Sequence, residues 1–178
     1  MVRLASGALG EIWPPTCEQR CWVHKTANVL NRLPKSLQGK AKRALQNIWM
    51  AETRNDAEAA FDTFAEIYGT KYDKAVECLT KDRDVLLAFY DFPAEHWAHL
   101  RTTNPIESTF ATVRHRTTRS KGCLSNKTAL AMTFKLAQSA EDSWNRLRGY
   151  NQLPKIIMGV KFNDGIEVVR SQAQTAAA

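Results

Sequence analysis

Residues 101–121 read RTTNPIESTFATVRHRTTRSK. Asn104, Pro105, Ile106 and Glu107 stand in the order N-cap, N1, N2 and N3 of a helix. Asparagine is a preferred cap, proline is tolerated at N1, and an acid at N3 can reach back to the cap's backbone N–H. Ile106, Phe110 and Val113 follow at helical spacing and are predicted to point inward, while Glu107 and Arg114, seven apart, fall nearly in line on one face. Arg114, His115, Arg116 and Arg119 lie on the same helix and Lys121 just beyond it. Two readings of Glu107 stand side by side: one half of a capping box, or a carboxylate held still and aimed at a metal ion, with cations behind it for phosphates.

Downstream, Ser125 or Asn126 is placed to start a long helix reaching about Arg148, with Ala129, Met132, Leu136, Ala140, Trp144 and Leu147 on one face. Beyond Pro154 the pattern alternates. Val160 and Phe162 precede Asn163-Asp164-Gly165, and Ile166 and Val168 follow it, which is a strong hairpin signal. The tail, SQAQTAAA at 171–178, cannot bury enough apolar surface to order itself.

Upstream, residues 35–95 read as an all-helical unit. Ser36 is a candidate cap for a helix with Leu37, Ala41, Ala44, Leu45, Ile48 and Trp49 on one face, and with Lys40, Lys42 and Arg43 outside. Asn55 and Glu58 have the spacing of a capping box, ahead of Ala57, Ala60, Phe61, Phe64, Ile67 and Tyr68. Before that unit, a helix end at 8–13 is stopped by Pro14 and Pro15. CEQRCWVHK at 17–25 reads as a strand, with Cys21 and Val23 on one face and Trp22 and His24 on the other.

A chain of 178 residues with 44% hydrophobic and 24% charged residues has room for one sizeable core, or for a core with an inserted subdomain. Its net charge of +7 favours a polyanionic partner, nucleic acid before acidic membrane. The longest apolar run, VLLAFY at 85–90, is far too short to span a bilayer, and no signal-peptide core forms before Glu11. The expectation is a reducing cytoplasm, with Cys17, Cys21, Cys78 and Cys123 as free thiols.

Glu107 alone cannot run hydrolysis or strand transfer on DNA, because two-metal catalysis needs further converging carboxylates. The acids at Asp56, Asp62, Asp73, Asp82, Asp84 and Asp91 sit among cations and apolar residues, as on solvated helix faces. Cys21-x-x-His24 has the spacing of half a zinc site, and with no second pair zinc is not expected there. The dense run of Arg101, Arg114, Arg116, Arg119, Lys121 and Lys127, opposed only by Glu107, suits either phosphate contact or a solvated face. His115, Thr117 and Thr118 are further candidate phosphate donors. Trp97 either stacks on an unpaired base or packs beside Leu100.

QRCWVHKTANVLNRLPKS at 19–36 and HWAHLRTTNPIESTFATVRHRTTRSKG at 96–122 resemble the Mutator-type transposases of bacterial insertion sequences, and LPKIIMGVKFNDGIE at 153–167 is similar to that family's ending. The resemblance implies a mostly α chain with a few strands, forming the C-terminal part of an RNase H-like α/β core that carries an all-helical insertion. Residues 1–34 would be the remnant of the core, 35–95 the insertion, 96–150 the returning core helices, 151–170 a hairpin-like segment and 171–178 the disordered tail. It implies DNA cleavage and strand transfer at an Asp-Asp-Glu site holding Mg²⁺ or Mn²⁺. Glu107 would be the third metal ligand, positioned by Asn104 and Pro105 with Cys21 and His24 nearby. Arg101, Arg114, His115, Arg116, Arg119 and Lys121 would be the DNA contacts. In the family both aspartates precede the Cys-x-x-His motif, and no Asp occurs before Asp56 here. The chain is therefore expected to be a truncated C-terminal part, catalytically inert alone. The alternative is a non-catalytic remnant that binds DNA or an intact transposase. The expected partners are insertion-sequence ends and target DNA, and a second copy or a full-length transposase, with no membrane. The expected location is the bacterial cytoplasm, at the nucleoid.

Overall fold

The computed structural model describes residues 18–102, 104–119 and 125–169, with only the backbone at 104–106 and 109. The chain is mostly helical, as the sequence predicts. In order come α1 (Trp22–Leu30), α2 (Lys35–Trp49), α3 (Arg54–Gly69), α4 (Asp73–Thr80) and α5 (Arg83–Leu87). Two 3₁₀ turns then lead to α6 (Trp97–Leu100), α7 (Asn104–Arg119) and α8 (Asn126–Glu141). A short α9 (Leu153–Ile157) precedes β1 (Phe162–Asn163) and β2 (Ile166–Glu167).

The first correction is at residues 17–25. Cys17 lies outside the described residues, and from Trp22 the chain is helix α1, not strand. The buried positions are Trp22, Lys25 and Val29, one face at i, i+3, i+7. Lysine in the middle of that face disguises the helical period. Lys25 is 3% exposed, and its Nζ donates to the Cys78 carbonyl at 2.8 Å and to the Asp82 carboxylate.

One apolar core unites α1 with the helices that follow: Trp22, Val29, Leu33, Leu45, Ile48, Phe61, Phe64, Leu79, Leu86 and Phe89 are buried in one cluster. Within α2 the inward stripe is Ala41, Leu45 and Ile48, as expected, but the cap position is Pro34 rather than Ser36. Helix α3 starts two residues earlier than the predicted Asn55 box. Thr53 is its N-cap and accepts from the Asp56 N–H at 3.1 Å. Ala57, Phe61, Phe64 and Tyr68 face the core, whereas Ile67, expected inside, is 64% exposed.

The hairpin forms where Asp-Gly predicts it. Phe162 pairs with Glu167 and Asn163 with Ile166, antiparallel. Asp164 and Gly165 both have positive φ, 48° and 81°, as a two-residue hairpin turn demands. The turn docks on the helical unit: Asp164 Oδ1 accepts from the Arg54 N–H at 2.7 Å, and the Gly165 N–H donates to the Tyr90 carbonyl at 3.2 Å. Helix α8 ends at Glu141, short of Arg148. Beyond it, His99 Nε2 accepts from the Arg148 N–H at 3.2 Å, and His96 Nε2 bonds the Gly149 carbonyl at 2.8 Å. Among the described residues no helix is long and apolar enough to cross a membrane.

Candidate functional site

Helix α1 is pinned at its N-terminal end from three sides. The Arg20 N–H donates to the Val85 carbonyl, and the Trp22 N–H to the Arg101 carbonyl, both at 2.9 Å. Trp22 Nε1 donates to the Leu86 carbonyl at 2.9 Å. Arg20 and Lys25 both pair with Asp82, the former at 3.0 Å. With Lys25 turned into the core, its neighbour His24 is left on the outer side of α1.

That side meets the first turn of α7. His24 Nε2 lies 3.1 Å from Glu107 Oε1, with the two side chains about half exposed. Cys21, the N-cap residue of α1, hydrogen-bonds His24 on the same side. This bond is the main cause that raises the His24 pKa above 6.5; partial desolvation opposes it, and the charges of Cys21 and Glu107 add to it. The Cys-x-x-His spacing thus corresponds to a thiol–imidazole pair at a helix start, and the imidazole hands on to Glu107.

Arg114, His115, Arg116 and Arg119 are exposed along α7. Two shallow concavities on this helix are lined by Ala111 with His115 and Arg119, the first also by Thr112 and Arg116 and the second by Arg114 and Thr118. Thr117 turns its hydroxyl onto its own helix, donating to the Val113 carbonyl at 3.0 Å. Phe110, predicted inward, is 60% exposed. The side chains of Asn104, Pro105 and Ile106, and all of Lys121, lie outside the described residues; the backbone is helical from Asn104 itself, one residue ahead of the Pro105 start that an Asn104 cap implies.

Arg101 is apart from this helical face. Its guanidinium sits 4.5 Å from the Phe89 ring centroid and 5.0 Å from that of Trp97, and burial lowers its pKa. Trp97 itself packs edge-on against Phe89 and Tyr90 and donates to the Phe92 carbonyl at 2.9 Å.

Among the described residues no group of three or more His, Cys, Asp and Glu is placed to hold a metal ion. The residues that sequence reasoning missed are Lys25 and Asp82, which set the roll of α1. The only signal for them is a lysine falling on the Trp22–Val29 stripe.

Residues 5–147 match the family model described as Transposase, Mutator family. The chain is 57% identical over 173 residues to the transposase for insertion sequence element IST2 of Acidithiobacillus ferrooxidans. It is 47% identical over 171 residues to that for IS6120 of Mycolicibacterium smegmatis. These matches cover 96% and 93% of this chain but 58% and 53% of the two relatives. The match runs through both the α1 motif and the glutamate-bearing start of α7, the two elements that His24 and Glu107 join. On that ground the chain belongs to the Mutator family of transposases.

Proposed function

We propose that this chain supplies the glutamate and the cationic helix of an RNase H-like transposase core that cleaves and joins DNA. The reading rests on one observation above all: Glu107, at the head of the α7 cations, is engaged by His24 from a separately anchored helix. Glu107 is the metal-binding carboxylate in this reading, and His24 and Cys21 are positioning residues that limit its rotamers. Arg114, His115, Arg116 and Arg119 hold phosphates, which gives affinity without sequence preference. The hydroxyl of Thr117 is not needed for that role.

The described residues do not by themselves fit Mg²⁺. One carboxylate with an imidazole on it lacks the further oxygen ligands that such an ion takes. Additional acids must come from outside the described residues. The DNA engaged would be insertion-sequence ends and target, in the bacterial cytoplasm at the nucleoid, with assembly into a homo-oligomer. That no three-acid cluster forms among the described residues favours a second reading for this polypeptide alone: a non-catalytic module that binds DNA or a complete transposase.

Titrating the purified 178-residue chain against labelled duplex DNA across a salt series tests the reading. The expected result is a steep salt slope, weakened by Arg116→Ala and Arg119→Ala, with no Mg²⁺-dependent nicking. Failure to bind at low salt overturns the phosphate role, and Mg²⁺-dependent nicking by the chain alone overturns the single-carboxylate reading.

A further inference from the structure

The chain carries no Asp or Glu between Glu18 and Glu52, yet Arg20, Lys25, Arg32, Lys35, Lys40, Lys42 and Arg43 fall in that interval. The structure divides these cations into two groups. Arg20 and Lys25 are taken up by Asp82. Arg32, Lys35, Lys40, Lys42 and Arg43 are all exposed, and among the described residues none of them forms an ion pair.

Four of these five lie on α2, whose opposite side is the buried Ala41, Leu45 and Ile48 stripe. The outward side therefore carries charge of one sign along its length, from Lys35 to Arg43, a rise of about 12 Å at 1.5 Å per residue. Like charges on neighbouring helical positions repel and cost helix stability. Elsewhere the acids are dense: eleven of the eighteen lie between Glu52 and Glu95, on the helices that follow. The two arginines on those helices find partners, Arg54 with Asp91 and Arg83 with Asp62. The charge on α2 is thus segregated rather than scattered.

Gly39 is exposed in the middle of this cationic side, and a Cβ built on it would meet nothing within 4 Å. Packing does not require glycine there, and inside a helix glycine is destabilising relative to alanine. Its effect on the surface is a bare stretch of backbone between Lys35, Lys40, Lys42 and Arg43, where a bulky polyanion can come close.

We propose that the outer face of α2 is a second docking surface for the phosphate backbone of duplex DNA, separate from the α7 cations. That DNA is the polyanion rests on the function proposed above; the location on α2 rests on charge segregation and the open glycine. The contacts are sequence-neutral, so this face holds or orients a duplex without reading it.

The test compares variants by fluorescence anisotropy with a random-sequence labelled duplex over a salt series, each variant checked for an unchanged melting curve. Lys40→Gln, Lys42→Gln and Arg43→Gln combined should lower the log–log salt slope by about 0.9 for each phosphate that is no longer neutralised. Gly39→Glu should weaken binding without removing any cation. The control is Lys71→Gln with Lys74→Gln, exposed lysines in the acid-rich region, which should leave the slope unchanged. A decrease in the α2 triple no larger than in that control overturns the proposal. A decrease confined to Arg114→Gln, Arg116→Gln and Arg119→Gln also overturns it and leaves the α7 reading standing. The reverse pattern removes the α7 contacts and keeps α2. No duplex binding by the unaltered chain, or α2-dependent binding of anionic vesicles in preference to DNA, overturns it as well.

Discussion

His24 Nε2 and Glu107 Oε1 stand 3.1 Å apart, joining the first turn of α1 to the first turn of α7. The contact is legible in neither motif alone, because residues 17–25 read as a strand and residues 104–107 as a local helix start. Its consequence is a histidine titration. The Cys21 hydrogen bond foremost, and then charge from Cys21 and Glu107, raises the His24 pKa in the folded chain. A raised folded-state value means that protonated His24 favours the fold. That contribution is complete below pH 6.5 and fades as pH rises through the folded-state value. An NMR titration of the metal-free chain should place the His24 midpoint above 6.5. Cys21→Ala should lower it most and Glu107→Gln less, and a midpoint at or below 6.5 in the unaltered chain would contradict the contact.

Lys25 and Asp82 form the anchor that rolls α1 into place, and Arg20 shares the carboxylate. Removing one partner of a buried pair leaves an uncompensated charge, which costs about 3–5 kcal/mol. Asp82→Ala should therefore lose stability of that order in urea unfolding. Lys25→Met combined with Asp82→Leu should recover most of it, since an apolar pair of similar volume removes both charges. Equal instability in the single and double variants would show that the pair is not the source.

The buried lysine also explains what the sequence conceals. Trp22, Lys25 and Val29 repeat at helical spacing, but a hydrophobicity reading breaks the repeat at Lys25 and leaves Cys21, Trp22, Val23 and His24 looking like an alternating strand. Where the stripe is uniformly apolar, as at Ala57, Phe61, Phe64 and Tyr68, the helix is legible. The hairpin is legible too, since Asp164 and Gly165 adopt the positive φ that their residue types permit. The glutamate and the cations of α7 can be picked out from spacing and charge, whereas His24 meeting Glu107 depends on how α1 rolls, which long-range pairing to Asp82 decides.

Arg101 lies in sequence beside the cationic run and in space within an aromatic cluster, against Phe89 and Trp97. A cation over aromatic faces contributes about 0.5–2 kcal/mol, and its carbon stem adds packing. Arg101→Ala should therefore lower the melting temperature while the DNA salt slope is unchanged, the opposite of Arg116→Ala. Arg101→Lys should restore only part of the stability, because an ammonium lacks the flat stacking surface of guanidinium. A reduced salt slope with unchanged melting would assign Arg101 to the DNA contacts instead.

The hairpin turn clasps the helical unit through two residues with different duties. Asp164 Oδ1 accepts from the Arg54 N–H, one of the orphan donors at the start of α3. Asp164→Ala should cost about 1 kcal/mol, the usual worth of a cap, whereas Asp164→Asn keeps both an acceptor and tolerance for positive φ. Gly165 carries the closer constraint. A Cβ there would stand 2.6 Å from the Ala94 Cβ and 2.9 Å from its nitrogen, at a φ of +81°. Gly165→Ala must push the turn away from Ala94 or strain it, which should cost about 1–3 kcal/mol. Retreat of the turn would also break the Gly165 bonds to the Tyr90 carbonyl and from the Ala94 N–H. Hydrogen exchange should then quicken at Gly165, at Ala94 and at the Arg54 amide, while the amides of the α2 core stripe keep their protection. Unchanged exchange at Arg54 in Gly165→Ala would show that the turn can absorb a methyl group without releasing α3.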